Sequence, residues 1–234
     1  MGLVESAGAA WIQTSATNSQ TSGTFTPAAN ALIVCIVAVG NGNGIVETSR
    51  SVTDTFGGTA SGAWTTLVQR LSAADEAGSG IYVKNAGPAP TSGAVTVAAS
   101  PSTVLDVGLI VRNFVGAAPA SAQSGTTGSA TGNPSGVSIT PKQHKSQIVG
   151  AFGINSGTAR TANASTTIYG QSQGDSGCQV GAMKITVLST AGSAVTIGYT
   201  AGQAQTSITA AEILAGVVAS GVIVDHAVIR ASQR

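Results

Sequence analysis

Short runs of Val, Ile and Thr, each bounded by Gly, Pro, Asn or Ser, recur along the whole chain, a pattern that leaves little room for anything but β-structure. They predict strands at Ala31–Val39, Val52–Thr55, Thr65–Leu71, Gly80–Lys84, Ala94–Ala98, Leu105–Phe114, Gln147–Ile154, Thr166–Tyr169, Gln179–Thr186, Ala194–Tyr199 and Val222–Ile229. In Gly80–Lys84 and Ala94–Ala98 the side chains alternate, placing Ile81 and Val83, then Val95 and Val97, on one face against a core. Such strands need a second sheet opposite them. Long Gly-rich connections interrupt the series, which favours an all-β, antiparallel two-sheet β-sandwich, jelly-roll-like and with long Gly/Ser/Thr-rich loops, over a closed barrel.

At 234 residues the chain can bury a substantial core, and all-β sandwiches of this size commonly stay one domain. The organisation expected is an amino-terminal arm over residues 1–20 and a single sandwich over 21–234. Residues 116–137 hold almost no large apolar side chain and are expected as a long loop, which is entropically cheap to close. Echoes between the halves point to internal pseudo-symmetry: Phe25-Thr26-Pro27 recurs as Ile139-Thr140-Pro141, and Ala94-Val95-Thr96-Val97 as Ala194-Val195-Thr196-Ile197. One stretch, 209–219, stays open between helix and strand. Thr209-Ala210-Ala211-Glu212 matches a capping box, while its β-rich surroundings favour pairing.

Composition narrows the function classes. Only 8% of residues are charged, against roughly a quarter in ordinary soluble domains, so the surface is built from hydroxyls and small side chains. Charge normally keeps a free protein soluble and monomeric; a near-neutral chain suits an assembly. The ten basic residues form no stripe, so nucleic acid is not an expected partner. No apolar run reaches the roughly 20 residues needed to span a bilayer, and the amino terminus does not read as a secretory signal; a membrane is not expected either. Cys35 and Cys178 are read as small buried hydrophobes, with a bridge between them as the alternative.

Candidate chemistry is thin. Gly170-Gln171-Ser172-Gln173-Gly174 fits a nucleophile-elbow spacing, but no helix pattern follows Ser172 and no βα alternation surrounds it, so it is read as a polar hairpin loop. His144 sits in a polar loop, and His226 stands beside Asp225 on a strand, where neighbours face opposite ways. No metal site, cofactor site or catalytic residue is expected. Asp54, Asp75, Glu76 and Asp175 fall near predicted loops as turn caps. Trp11, Trp64, Tyr82, Tyr169 and Tyr199 are the side chains on which a sugar could stack; Trp64 is read as core, and Trp11 as available to a neighbouring subunit.

Phe25–Val34, Ser51–Gly58 leading to Trp64-Thr65, Gly80–Val83 and Gly93–Val97, taken in order, resemble a β-sandwich family of virion proteins encoded by tailed bacteriophages, notably those of actinobacteria. The similarity covers most of residues 20 to 220. It implies a non-catalytic virion structural protein made in the host bacterial cytoplasm, a minor tail or fibre protein or a capsid decoration subunit. Its partners would be copies of itself and other virion proteins. The alternative is a carbohydrate-binding module that contacts host-surface glycan through exposed aromatics. No functional residue transfers with the resemblance.

Overall fold

Strands that are apolar at every position must be covered on both faces, and the fold meets that demand by stacking sheets. The computed structural model describes residues 3–14, 17–40, 44–60, 62–73, 77–101, 105–155, 157–174, 178–202 and 204–216. The amino-terminal half runs β1 (Val4–Ala7), β2 (Ile12–Thr14), β3 (Ser19–Thr21), β4 (Leu32–Gly40), β5 (Ser49–Asp54), β6 (Thr65–Arg70), β7 (Gly78–Asn85), β8 (Val95–Ser100) and β9 (Asp106–Val115). Its larger sheet has the order β1-β9-β4-β7-β6, with β2 also on β9, and its smaller sheet the order β3-β8-β5. After one 3-10 turn, Ala120–Ala122, follow β10 (Thr127–Gly132), β11 (Gly136–Ile139), β12 (Gln147–Ile154), β13 (Thr166–Gln173), β14 (Gln179–Ile185), β15 (Val195–Gly198) and β16 (Thr206–Ile213). These form a larger sheet, β10-β16-β12-β14-β13, and a smaller one, β11-β15. The strand pairings are antiparallel, as expected for an all-β sandwich.

Three apolar clusters define the stack. Ile33, Cys35, Val37 and Val39 of β4 meet Val95 and Val97 of β8 between the two amino-terminal sheets. Ile148, Phe152 and Ile154 of β12 meet Val137, Ile139 and Ile197 of the small carboxy-terminal sheet. The alternate residues of β4 and β12, Val34 and Ile36 with Val149 and Ala151, join Ile110, Phe114, Ala182 and Ala211 between the two larger sheets. The layers therefore run small, large, large, small. Both central sheets are apolar on both faces, which is why β4 and β12 read as unbroken hydrophobic runs and are buried along their length.

The halves are two copies of one topology. The order β1-β9-β4-β7-β6 maps strand for strand onto β10-β16-β12-β14-β13, and β3-β8 onto β11-β15. A bridge between Ala162 and Tyr199 stands where β5 pairs Arg50 with Ala99. Details recur with the plan. Asn30 and Lys145 each take a left-handed φ, 56° and 62°, two residues before β4 and β12. β6 bulges opposite β7 between Thr66 and Val68, and β13 bulges opposite β14 between Ile168 and Gly170. The bulged residues, Leu67 and Tyr169, both turn into the cluster between the large sheets. The echoed tetrapeptides are equivalent too: Ala94–Val97 and Ala194–Ile197 lead into or form β8 and β15.

Several expectations change. Residues 116–137 are not one loop: β10 lies within them and adds an edge to β16. Its sequence, TGSATG, has no apolar face because it is half exposed on both sides, so periodicity could not reveal it. Residues of the expected arm form β1 and β2 on β9, and Ser19–Thr21 starts β3 on β8. Residues 206–213 are strand β16, so the capping box is not used. β7 is buried on both faces, with Ile81 and Val83 toward the other large sheet and Tyr82 toward β8. Cys35 and Cys178 are buried and form no disulfide, and burial pushes the Cys35 thiol far above its ordinary range. The expected strand Val222–Ile229 lies outside the described residues. No helix among the described residues is long and apolar enough to cross a membrane.

Trp11 is seated, half-buried, within its own chain. It packs against the cluster between the large sheets, and its indole N–H donates to Ser172 Oγ at 3.0 Å. Two glycines make its slot. A Cβ on Gly108 of β9 would stand 2.5 Å from the indole, and one on Gly170 of β13 would stand 2.4 Å from Trp11 Cβ. The indole thus bridges the two halves, held at both ends by absent side chains. Gly170→Val is expected to lower stability by about 2–3 kcal/mol through overpacking, and Trp11→Ala by about 3 kcal/mol through lost burial and a residual cavity. Urea unfolding followed by circular dichroism checks both; two variants within about 0.5 kcal/mol of wild type would remove the wedge from the account.

Candidate ligand-binding cleft

The clearest concavity opens along the edge of the amino-terminal sandwich, where β5 of the small sheet faces β6 and β7 of the large one. Strand alternation decides what lines it. On β5, Arg50, Val52 and Asp54 point inward while Ser51 and Thr53 point out. Across from them β7 presents Tyr82 and Lys84, and the segment after β5 contributes Phe56, Ala60, Ala63 and Trp64. The cleft holds about 600 Å³, within the range of small-ligand sites.

Its polar groups form two buried pairs. Arg50 donates from Nε to Glu47 Oε1 at 2.8 Å and from Nη2 to Oε2 at 2.6 Å, with neither side chain exposed. Glu47 Oε2 also accepts the backbone N–H of Ser72 at 2.9 Å, and Nη2 reaches the Arg70 carbonyl at 3.3 Å. Nη1 is buried on the side of the Tyr82 hydroxyl. Burial works against the charged guanidinium, but the Glu47 carboxylate and the Tyr82 hydroxyl together outweigh it, and the Arg50 pKa stands above its ordinary value. Gly78 and Gly80 give the guanidinium its room: a Cβ on Gly78 would lie 2.5 Å from Nη2, and one on Gly80 would lie 3.1 Å from Nη1 and 3.0 Å from the Tyr82 hydroxyl. That hydroxyl donates to Gln69 Oε1 at 2.7 Å, and burial pushes its pKa up to about 12, against the pull of Arg50.

The second pair is Asp54 with Lys84. Lys84 Nζ donates to Asp54 Oδ2 at 2.8 Å, and the same oxygen accepts the Trp64 indole N–H at 2.7 Å. Asp54 Oδ1 accepts the Phe56 backbone N–H at 3.2 Å, the local turn cap that its position after a strand suggests. The indole is thereby fixed in the cleft wall, half-buried rather than wholly in the core.

Duplication supplies an internal comparison. At the positions equivalent to Arg50, Tyr82 and Lys84 the second half carries Ala162, Met183 and Ile185, the last two inside its apolar cluster. The topology therefore closes without these polar groups. A sequence signal existed: Lys84 ends an apolar run and Arg50 interrupts a Ser/Val/Thr run, in a chain with few charges to place.

The other sequence candidates do not converge. Ser172 sits on β13 rather than in a loop and accepts the Trp11 indole N–H. His144 is exposed, and its Nδ1 accepts the Ala191 N–H at 3.3 Å. Asp75, Glu76, Asp175, Asp225 and His226 lie outside the described residues. Among the described residues no three His, Cys, Asp or Glu side chains are grouped to hold a metal. Fold and cleft define an all-β double sandwich with a polar, tryptophan-walled groove. Compared with known proteins, the chain matches no family model, no curated sequence and no solved structure.

Proposed function

We propose that this chain is a non-catalytic structural subunit of a bacteriophage virion, a minor tail or fibre protein or a capsid decoration subunit, working as a symmetric oligomer beside other virion proteins. The observation that supports this reading most is where the charge sits. Among the described residues only Arg70, Lys142 and Lys145 are exposed charged side chains, while Glu47, Arg50, Lys84, Asp106 and Glu212 are buried. An already charge-poor chain thus turns much of its charge inward. A free protein depends on exterior charge to stay dispersed; a subunit covered by neighbours does not. Val4 and Ile12 on the β1 and β2 edge, and Val187 and Leu188 after β14, add exposed apolar surface.

Association without surface ion pairs should resist salt. Light scattering of the purified chain at micromolar concentration is expected to give one defined oligomer, unchanged at about 1 M NaCl, and an antibody to the chain is expected to label purified particles. A monomer at every concentration, or unlabelled particles, would overturn the reading. A second reading, contact with host-surface sugar, is favoured by one specific feature, the tryptophan-walled cleft.

A further inference from the structure

We propose that the cleft between β5 and β7 binds a neutral hexopyranose unit of a glycan, its apolar face against Trp64 and two adjacent hydroxyls on the Asp54–Lys84 pair. This rests on the second reading above and gives it a site and a ligand class.

The Asp54–Lys84 pair, at whose lysine position the other half carries Ile185, is the starting point. Asp54 Oδ1 takes only the 3.2 Å bond from Phe56, and Lys84 Nζ commits one N–H to Asp54. A carboxylate beside an ammonium matches a vicinal diol, since each hydroxyl can donate to the first or accept from the second. Charge then selects among sugars. Glu47 balances Arg50 and Asp54 balances Lys84, so the groove offers no net charge to a uronate or a phosphate. Trp64, immobilised through its N–H, presents the rigid apolar wall on which the C–H face of a pyranose packs. The volume of about 600 Å³ leaves room for one ring and part of a second.

The test is ligand-detected NMR on the full chain with methyl glucoside, methyl mannoside, methyl galactoside and glucuronate, followed by tryptophan fluorescence titration. At least one neutral glycoside is expected to bind with a Kd near about 1 mM, as a single ring allows. Trp64→Ala should weaken it at least tenfold. The NMR arm reads wild-type protein, so the idea stays testable if a variant fails to fold. No neutral glycoside binding up to about 50 mM, preferential binding of glucuronate, or an affinity untouched in folded Trp64→Ala would each overturn it. Silence toward sugars in a salt-resistant oligomer would sink this site and leave the virion reading standing; sugar binding by a persistent monomer would do the reverse.

Discussion

Glu47→Ala is expected to destabilise the protein by about 3–5 kcal/mol, because it strips the counter-charge from a guanidinium that cannot reach water. Both side chains of the pair are fully buried, and Glu47 also holds the Ser72 backbone N–H. The loss should lower Tm by on the order of 10 °C for a chain of this length. The cost comes from leaving Arg50 uncompensated more than from losing an attraction, and that distinction is measurable. Replacing both residues, Glu47→Ala with Arg50→Met, removes the charge together with its partner and should recover much of the loss, giving a coupling of about 2 kcal/mol in a double-mutant cycle. The second half already shows the outcome: with Ala162 at the position of Arg50, it has no buried charge there to compensate. Unfolding of the four proteins in urea reads the cycle. A Glu47→Ala protein within about 1 kcal/mol of wild type would mean that water reaches the pair.

How much of this was legible in the sequence depends on which side chains carried the signal. β4, β12 and β14 announced themselves because burial on one or both faces demands continuous or alternating apolar residues, and Gln147–Ile154 has the bounds that the sequence suggests. β10 and β1 stayed silent. They are edge strands held by backbone pairing to β16 and β9, and such pairing needs no particular side chain. The repeat showed only as two short echoes, since shared topology conserves where the chain turns and bulges while the residues facing each cluster differ: Tyr82 and Lys84 in one half, Met183 and Ile185 in the other. The cleft was hidden for a related reason. Trp64, Asp54 and Lys84 are separated along the chain and meet only because β5 lies over β7. The seat of Trp11 within its own fold was hidden because Gly108 and Gly170, the two residues that make the slot, carry no side chain to advertise it.

Replacing Glu212 should have the other large effect, and its dependence on pH separates it from an ordinary core substitution. This carboxylate lies on β16, buried at 1% exposure. It accepts the backbone N–H groups of Thr126, Lys142 and Gln143, each at 3.0 Å, and the Ser146 hydroxyl at 2.6 Å. Four donors from the approaches to β10 and β12 therefore converge on one side chain, which satisfies the ends of segments that no strand partner reaches. It is also why the Thr209–Glu212 capping pattern yields to a strand: the glutamate is more fully used between segments than at a helix start. Burial alone would raise the Glu212 pKa, but the N–H groups of Lys142, Thr126 and Gln143 and the Ser146 hydroxyl outweigh it and hold the carboxyl below its ordinary value of 4.5. A carboxylate with a depressed folded pKa stabilises fully above its unfolded value, and that contribution drains away as pH falls through the folded one. Glu212→Ala should accordingly cost about 3 kcal/mol near neutrality, with several N–H groups left unsatisfied. The Tm gap between wild type and the variant should stay constant down to about pH 5 and narrow toward about pH 3. Thermal scans at those pH values decide it. A gap of the same size at both would show that the carboxylate acts by filling space, and that its charge does not hold the loops before β10 and β12 in place.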